Sequence, residues 1–303
     1  MNQKRKSILT ANFDHLVGLE VGTSTLLREL ARGGMAVVFV AFQRTLKRQI
    51  AVKILPKSDM SLEAAASFRQ EAETAAILSH PNIVPIYEVG ETDEFLFFTM
   101  QLIQGRPLSD LIMRIRRHVV PSRRFLPLET SLEIVLRVLD ALEHAHRQDI
   151  IHRDVKPANI LVEKDSGRPM ITDFGIANIT REDGSLRAIQ GTPVYMAPEQ
   201  IVTTDLDGRA DIYSTGVLLF ELLTSRLPLP PHDTKRDLMK KKIEMKDKFF
   251  LQPPSKINPA VNEELERIVM KATAFRPDNR FADCREFTEH LHACRERLSR
   301  GDP

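Results

Sequence analysis

The chain has 303 residues, of which 42% are hydrophobic, and its 43 lysines and arginines nearly balance its 41 acidic residues, for a formal charge of +2. These values allow a sizeable buried core and exclude a disordered, collagen-like or coiled-coil chain. No charge-free stretch approaches the roughly 18 to 20 residues of a membrane-spanning helix, so we expect a cytoplasmic protein without a membrane span. The two cysteines, Cys284 and Cys294, match neither a disulfide framework nor a metal-ligand pattern.

The first half of the chain reads mainly as β-strands and the second half mainly as helices. Runs rich in Val, Ile and Phe, punctuated by Gly and Pro, predict strands at 35–42, 50–55, 83–89 and 95–103, with one helix at about 61–79. From residue 128 onward, apolar residues recur at helical spacing, interrupted by two short strands at 160–162 and 170–172. We therefore expect a β-rich lobe followed by an α-rich lobe, and clefts between domains are common ligand sites.

The strongest chemical signal is a polar loop at residues 152–159, which reads His-Arg-Asp-Val-Lys-Pro-Ala-Asn and precedes the strand at 160–162. A turn, a second strand and then Asp-Phe-Gly at 173–175 follow it. A single Asp or Asn in such a loop is usually only a turn residue. The joint pattern of five polar residues at fixed spacing favours a functional site instead.

On these motifs the chain resembles the protein kinases, over about residues 30–291. The resemblance implies an α+β, bilobal protein-kinase-like fold, with a small β-rich N-lobe that carries one key helix and a larger α-helical C-lobe. It divides the chain into an N-terminal extension at 1–26, a kinase domain at 27–292 and a C-terminal tail at 293–303. Within the kinase domain, the N-lobe would span 27–103 and the C-lobe 104–292.

The resemblance also assigns roles within the two loops. Asp154 would accept the proton of the substrate hydroxyl, which requires hydrogen-bond reach of that proton. Asn159 and Asp173 would hold Mg²⁺, or alternatively Mn²⁺, because hard divalent cations take oxygen ligands. Lys156, two residues after Asp154, and the segment Gly-Thr-Pro-Val-Tyr-Met-Ala-Pro-Glu at 191–199 are typical of serine/threonine kinases. Protein substrates with Ser or Thr acceptors are therefore expected.

Lys53 and Glu71 are expected to form an ion pair. The period of two in the strand at 50–55 places Lys53 between apolar Ala51 and Leu55. A lone lysine in a strand most often protects an exposed edge. Glu71, however, lies on the apolar stripe of the next helix, where it needs a positive partner. In kinases this pair holds the lysine against the α- and β-phosphates of ATP, and both residues are counted with the catalytic set.

The segment 30–38 resembles a glycine-rich phosphate loop but departs from it twice, since Ala31 and Ala36 stand where the first and third glycines usually are. A Cβ at a left-handed position costs about 1 kcal/mol or more, and it also crowds the approach of the backbone to phosphate. We therefore expect weaker nucleotide binding, not loss of it. These two departures motivate an alternative, a pseudokinase scaffold that binds nucleotide or a partner without efficient transfer. The retained catalytic and metal-binding residues argue against it: Lys53, Glu71, Asp154, Asn159 and Asp173.

Adenine recognition is assigned by the resemblance to the segment 97–103. Met100 would be the gatekeeper, and the backbone carbonyl of Gln101 and the backbone groups of Ile103 would read adenine. The side chains that would enclose the ring are Val38, Ala51 and Leu161. The full set of expected ATP-binding residues is Leu30, Ala31, Arg32, Gly33, Gly34, Met35, Ala36, Val37, Val38, Ala51, Lys53, Met100, Gln101, Ile103 and Leu161.

Supporting and regulatory residues also match the family. Asp211, expected to open a helix at 211–223, would brace the polar loop, and Arg280 would pair with Glu199. Arginines that precede the catalytic Asp often bind an activation-loop phosphate, and Thr180 or Ser185 would be the phosphorylated residue. Alternatively, Glu182 and Asp183 would supply standing negative charge there. Autophosphorylation would use a homodimer. The phosphate loop, with Gly-Gly-Met at 33–35, and the His-Pro-Asn-Ile-Val segment at 80–84 look most like the bacterial Hanks-type, eukaryotic-like kinases.

A basic stretch at 101–125 is the one feature that these roles leave unused. Six arginines face a single acid, Asp110, in this stretch: Arg106, Arg114, Arg116, Arg117, Arg123 and Arg124. A nucleic-acid-binding module would explain them, but no interleaved aromatic residues or nucleic-acid motif accompany them. No nucleic-acid partner is therefore expected, and either a solvated basic helix face or a docking site for acidic peptides is favoured.

Overall fold

The computed structural model describes residues 13–33, 36–57, 65, 69, 72–120, 123–174 and 193–300. The chain divides into two compact units. The N-terminal unit comprises Met1–Ser79, Val84–Ile103 and Ile176–Gln190. The C-terminal unit comprises His80–Ile83, Gln104–Gly175 and Gly191–Pro303.

An antiparallel six-stranded sheet forms the N-terminal unit, with strands in the order β1-β2-β3-β4-β6-β5. The strands are β1 (Glu20–Val21), β2 (Ser24–Arg32), β3 (Val37–Gln43), β4 (Arg48–Pro56), β5 (Ile86–Glu91) and β6 (Phe95–Met100). Residues 72–76 are helical, within the helix expected at 61–79. The strand expected at 83–89 begins later, and the one expected at 95–103 ends at Met100, after which the Gln101 N–H donates to the Pro85 carbonyl at 3.0 Å.

One face of this sheet carries the buried apolar core of the N-terminal unit. In the register between β3 and β4, Val37 lies opposite Ile54 and Phe39 opposite Val52, and all four belong to the buried apolar core of the unit. Successive side chains alternate between the faces of a strand. Lys53 therefore lies on the other face from this core.

The C-terminal unit combines a small sheet with six helices in its described residues. The sheet pairs β7 (Gly105–Pro107), β8 (Ile160–Glu163) and β9 (Pro169–Ile171) in antiparallel order. The helices are α1 (Leu108–Arg116), α2 (Leu128–His146), α3 (Arg209–Thr224), α4 (Lys235–Met245), α5 (Glu263–Ala272) and α6 (Cys284–Arg300). The predicted α+β fold, with a β-rich part followed by an α-rich part, is confirmed.

Helix α3 lies at the centre of the C-terminal unit. It packs against α2 and α5 and is buried on nearly all sides, as expected of a helix that is apolar all round. Gly216 allows the close approach to α5, because a Cβ there would lie 2.6 Å from the Cβ of Ala272. Cys284 and Cys294 on α6 are free thiols within the core. None of the helices that the structure describes is long and apolar enough to cross a membrane.

Candidate active site

The polar loop connects α2 to β8 and is anchored by one buried carboxylate, that of Asp211. One carboxylate oxygen accepts the backbone N–H of Arg153 at 2.8 Å, and the other accepts the backbone N–H of His152 at 2.8 Å. The second oxygen also accepts the Nε2–H of His146 at 2.8 Å. A buried carboxylate is tolerated when its oxygens are paired in this way. The expected bracing role of Asp211 is confirmed, although the residue lies inside the first turn of α3 and does not open the helix.

Asp211 is held in its ionised form by these neighbours. Burial by itself raises the pKa of this carboxyl. The hydrogen bond from His146 and the charges of His146 and His152 lower the pKa by more, so that the net shift is downward. The anchor is therefore a charged group, which forms stronger hydrogen bonds to backbone N–H groups than a neutral one does.

Asp154, Lys156 and Asn159 form one hydrogen-bonded cluster. The Lys156 ammonium donates to Asp154 Oδ2 at 2.6 Å, and the Asn159 side-chain amide donates to the same oxygen at 2.9 Å. The amide also donates to the Asp154 carbonyl at 2.9 Å. The Asp154 side chain remains 25% exposed, so a substrate can reach it. Because the amide nitrogen of Asn159 makes both bonds, its side-chain oxygen is the atom left to face a cation.

His152 links the polar loop to the segment that carries Asp173. Its Nε2–H donates to the Thr172 carbonyl at 3.0 Å, and its ring lies 4.5 Å from that of Phe174, measured between centroids. The Thr172 N–H donates to the backbone carbonyl of Asn159 at 2.9 Å. These contacts bring the two predicted metal-binding segments together within the C-terminal unit.

Two residues of this region have left-handed backbones. Arg153 has φ 65° and Asp173 has φ 66°. A left-handed conformation is uncommon for residues other than glycine, and such strain persists where surrounding contacts hold it, often at functional sites. Here the contacts include the Asp211 carboxylate on Arg153.

The residues present suit a hard divalent cation. Asn159 and Asp173 offer amide and carboxylate oxygens, which Mg²⁺ prefers. Among the described residues, no group of three or more His, Cys, Asp and Glu side chains could hold a metal by itself. An ion bound at such a site would share its coordination with phosphate oxygens, as Mg²⁺ in nucleotide-dependent enzymes usually does.

The predicted pair of Glu199 and Arg280 is confirmed as a buried, bidentate salt bridge. The two Arg280 terminal nitrogens donate to the two carboxylate oxygens at 2.6 and 2.8 Å. The remaining three donors of this guanidinium bind the backbone carbonyls of Ala274, Phe275 and Arg209. All five guanidinium N–H donors are thus used, which fixes the end of the segment at 193–199.

Three residues of the site were missed by the sequence analysis. His146 binds Asp211, as described above. Gln200 donates to the Arg153 carbonyl and accepts the Ala197 N–H, each at 2.8 Å, and so joins the 193–199 segment to the polar loop. Lys242 binds the same segment from helix α4. Apart from the contact of Gln200 with Ala197, each of these contacts joins residues more than forty positions apart. No local sequence pattern predicts such contacts.

A cavity of about 220 Å³ borders the polar loop in the C-terminal unit. Its lining includes Lys156 from the loop, Arg116 from α1, and the pair formed by Tyr195 and Glu221. The Tyr195 hydroxyl donates to the Glu221 carboxylate. Burial raises the pKa of Glu221, and the hydrogen bond from Tyr195 and the charge of Arg116 oppose this shift only in part.

In the N-terminal unit, several expected ATP-binding residues share one face of the sheet. Val38 lies opposite Lys53, and Ala51 lies opposite Met100. Residues directly opposite each other in an antiparallel pair project on the same side, so these four are on the face away from the core. The Gln101 N–H donates to the Pro85 carbonyl. The expected role of the Gln101 carbonyl in reading adenine stays a prediction.

The left-handed backbone expected at the two alanines of the phosphate loop is not found. Ala31 lies in β2 and pairs with Val38, and neither Ala31 nor Ala36 is among the described residues with positive φ. The Gly33 N–H instead donates to the Ala36 carbonyl at 2.8 Å. A Cβ at either alanine therefore meets no left-handed strain, and this part of the expectation is wrong. The expected crowding of the backbone approach to phosphate stays a prediction.

Other expected residues are distributed as follows. Leu30 and Arg32 lie in β2, Val37 opens β3, and Leu161 lies in β8 of the C-terminal unit opposite Met170. Gly34, Met35, Glu71, Thr180 and Ser185 lie outside the described residues. The predicted Lys53–Glu71 pair and the phosphorylation sites therefore stay predictions.

Comparison with known proteins gives one consistent family. Residues 24–292 match the family described as the protein kinase domain. A probable serine/threonine-protein kinase of Streptomyces coelicolor is 36% identical over 275 residues, which are 88% of this chain and 39% of the relative. Serine/threonine-protein kinase PrkC of Bacillus subtilis is 35% identical over 272 residues, which are 88% of this chain and 40% of that protein. The chain thus spans about two fifths of the length of these curated relatives.

Solved structures agree with this match. The crystal structure of the PknI kinase domain of Mycobacterium tuberculosis is 28% identical, with a TM-score of 0.72, and the likeness covers 92% of this chain and 98% of that one. The similarity therefore extends over nearly all of a single solved domain.

Proposed function

Because the chain belongs to the protein kinase family, and its curated relatives are named as serine/threonine-protein kinases, we propose that it transfers the γ-phosphate of ATP to serine and threonine hydroxyls of proteins. One observation carries the proposal. The Asp154, Lys156 and Asn159 cluster is assembled by hydrogen bonds of 2.6 to 2.9 Å on a loop anchored by the buried carboxylate of Asp211.

In this proposal Asp154 is the general base. Lys156 and Asn159 both donate to its Oδ2, so Oδ1 is the oxygen that accepts the proton of the substrate hydroxyl. General bases act at hydrogen-bond distance from the proton that they remove. Lys156 also places a positive charge beside the reacting groups, where negative charge develops on the transferred phosphoryl group.

Asn159 and Asp173 are proposed to hold the metal. Mg²⁺, or alternatively Mn²⁺, bound there would neutralise phosphate charge. The left-handed backbone of Asp173 and its link to the polar loop through Thr172 and His152 support this role, because they hold its position without help from a ligand.

ATP binding is assigned by this proposal to the residues of segments 30–38 and 97–103, with Ala51, Lys53 and Leu161. The shared sheet face of Val38, Ala51, Lys53 and Met100 supports this role. We propose that Lys53 pairs with Glu71 and contacts the α- and β-phosphates. The lack of left-handed strain at Ala31 and Ala36 supports active transfer over the pseudokinase alternative.

Regulation and organisation are proposed from the family pattern. The kinase domain would span 27–292, with an extension before it and a tail after it, and the reaction would take place in the cytoplasm, where ATP is available. Autophosphorylation within a homodimer would modify Thr180 or Ser185, and Arg153 would bind the phosphate. Mapping of modified residues in the active protein tests this, and it fails if neither residue carries phosphate.

Transfer of labelled phosphate from ATP with Mg²⁺ to the chain itself and to generic protein acceptors tests the main proposal. Asp154→Asn should reduce the rate by roughly 10² to 10⁴, the usual contribution of a positioned base. Asp165→Asn, in the exposed turn after β8, is the matched control and should keep the rate. Absence of transfer from the native protein, or equal rates in both variants, would refute the proposed role.

A further inference from the structure

A second cavity in the C-terminal unit is surrounded by arginines. It has a volume of about 540 Å³, and its lining includes Arg116, Arg124 and Arg226 together with Phe125, Thr224 and Ser225. We call it the arginine cavity. Its volume lies within the range of about 300 to 1,000 Å³ that is usual for ligand pockets.

Local contacts hold the backbone of Arg226 and the side chain of Arg124. Arg226 follows Ser225, which ends helix α3 with a left-handed φ of 55°, and the Thr224 hydroxyl donates to the Arg226 carbonyl at 2.5 Å. The Arg124 Nε–H donates to the His118 carbonyl at 2.8 Å. This contact leaves the two terminal nitrogens of Arg124 to bind a ligand.

No acidic side chain lines the arginine cavity. Within the described part of the chain, none of its three arginines forms a salt bridge. The charge of Arg116 acts on Glu221 in the adjoining cavity, where it opposes in part the rise in pKa that burial causes. Three positive charges with so little compensation repel one another. A bound anion would relieve this repulsion, and guanidinium groups bind carboxylates and phosphates through two parallel hydrogen bonds.

The arginine cavity adjoins the candidate active site. Arg116, the last residue of α1, also lines the smaller cavity beside Lys156 and Tyr195. A polypeptide that presents its hydroxyl group at the polar loop can therefore continue past Arg116 into the arginine cavity. Such a path gives the basic stretch at 101–125, which the sequence analysis left unused, a role in binding the substrate.

We propose that the arginine cavity binds an acidic segment of the protein substrate through its aspartate and glutamate carboxylates. The inference rests on the proposed kinase function for its biological use, since it names a chemical class of substrate. A peptide fits better than a nucleic acid, because Phe125 is the sole aromatic residue among those that line the arginine cavity, and single-stranded nucleic acids are bound by series of stacked aromatic rings.

Binding without ATP tests the inference. The probe is a fluorescent peptide in which one serine is flanked by glutamates, compared by anisotropy with its glutamine counterpart. The Arg124→Gln, Arg226→Gln double variant should weaken binding of the glutamate peptide by about tenfold, which corresponds to two partly exposed charge pairs. Arg116 is left intact because it also lines the cavity beside Lys156.

The matched control is the Arg117→Gln, Arg123→Gln double variant. Both residues are exposed neighbours of Arg116 and Arg124 in the sequence and line neither cavity, so the same net charge is removed from the same region. The control should change binding by less than about twofold, the effect of screened surface charges. The Arg124→Lys, Arg226→Lys double variant should restore part of the affinity, because lysine keeps the positive charge but lacks the paired, planar N–H donors of the guanidinium group.

Three results would overturn the inference. Equal binding of the glutamate and glutamine peptides would show that no acidic segment is recognised, and equal losses in the two arginine-to-glutamine variants would show only general attraction of anions. Tighter binding of a phosphoserine peptide or a single-stranded oligonucleotide, lost in Arg124→Gln, Arg226→Gln, would assign the arginine cavity to phosphate. Because binding is measured without ATP and also in Asp154→Asn, failure of phosphate transfer leaves these results unaffected.

Steady-state kinetics separate docking from a general structural role. In the Arg124→Gln, Arg226→Gln variant, KM for the glutamate peptide should rise by about tenfold while kcat stays the same. The lost contacts stabilise the bound peptide equally in the ground state and in the transition state. A fall in kcat with an unchanged KM would contradict docking at the arginine cavity.

Discussion

Lys242 provides the sharpest test of how the segment at 193–199 is held. Its side chain lies on α4 and is 1% exposed. The ammonium donates to three backbone carbonyls, those of Pro193 at 3.0 Å, Val194 at 2.7 Å and Met196 at 2.6 Å. It also lies 4.9 Å from the ring centroids of Tyr213 and Phe249, a distance at which cations and aromatic faces attract. All three N–H donors of the ammonium are therefore used.

The cost of Lys242→Met follows from these contacts. Each buried carbonyl that loses its donor costs about 1 to 3 kcal/mol, and three carbonyls lose theirs. Methionine also removes an ammonium that had been desolvated, which offsets part of the loss. We expect the free energy of unfolding of the C-terminal unit to fall by about 3 kcal/mol.

Urea denaturation followed by circular dichroism measures this change, with Lys240→Met as the matched control on the same helix. The Lys240 side chain is 72% exposed and its nitrogen lies 3.7 Å from the nearest Glu244 oxygen. Such a surface pair contributes about 0.5 kcal/mol or less. If the two variants lose the same amount of stability, the three carbonyl contacts do not hold the segment and the reasoning is refuted.

Two further predictions concern the polar loop and the phosphate loop. Asp211→Asn should lower the free energy of unfolding by about 3 kcal/mol at pH 7, because the amide cannot accept all three donors. Since the pKa of Asp211 is below its ordinary value of 3.8 in the folded state, the carboxylate stabilises the fold above that pH. The difference from the native protein should narrow as the pH falls below about 4, and a constant difference from pH 7 to 3 would contradict this. Ala31→Gly should change the Kd for ATP, measured by calorimetry, by less than about twofold, because the backbone of Ala31 is extended. A large gain in affinity would show that Ala31 does weaken nucleotide binding.

Much of the fold could be predicted because its signals are local. Runs of apolar residues predicted β3 and β4, and apolar residues at helical spacing predicted α2. Each pattern reflects which side of a single element is buried. The ends of elements were less predictable. The strand expected to reach Ile103 stops at Met100, because the next N–H pairs with Pro85 instead of with a neighbouring strand.

The sequence by itself determined the polar loop and the Asp-Phe-Gly segment, because several polar residues stand there at fixed spacing. The resemblance to the protein kinases implied the partnerships of Asp211 and Glu199. Only the tertiary structure decided what surrounds them. The contacts of Lys242 with Pro193 and of His146 with Asp211 join residues 49 and 65 positions apart, and the arginine cavity collects side chains from four separate segments. Such contacts depend on how helices pack, and packing satisfies buried charges with whichever backbone or side-chain groups the fold brings near.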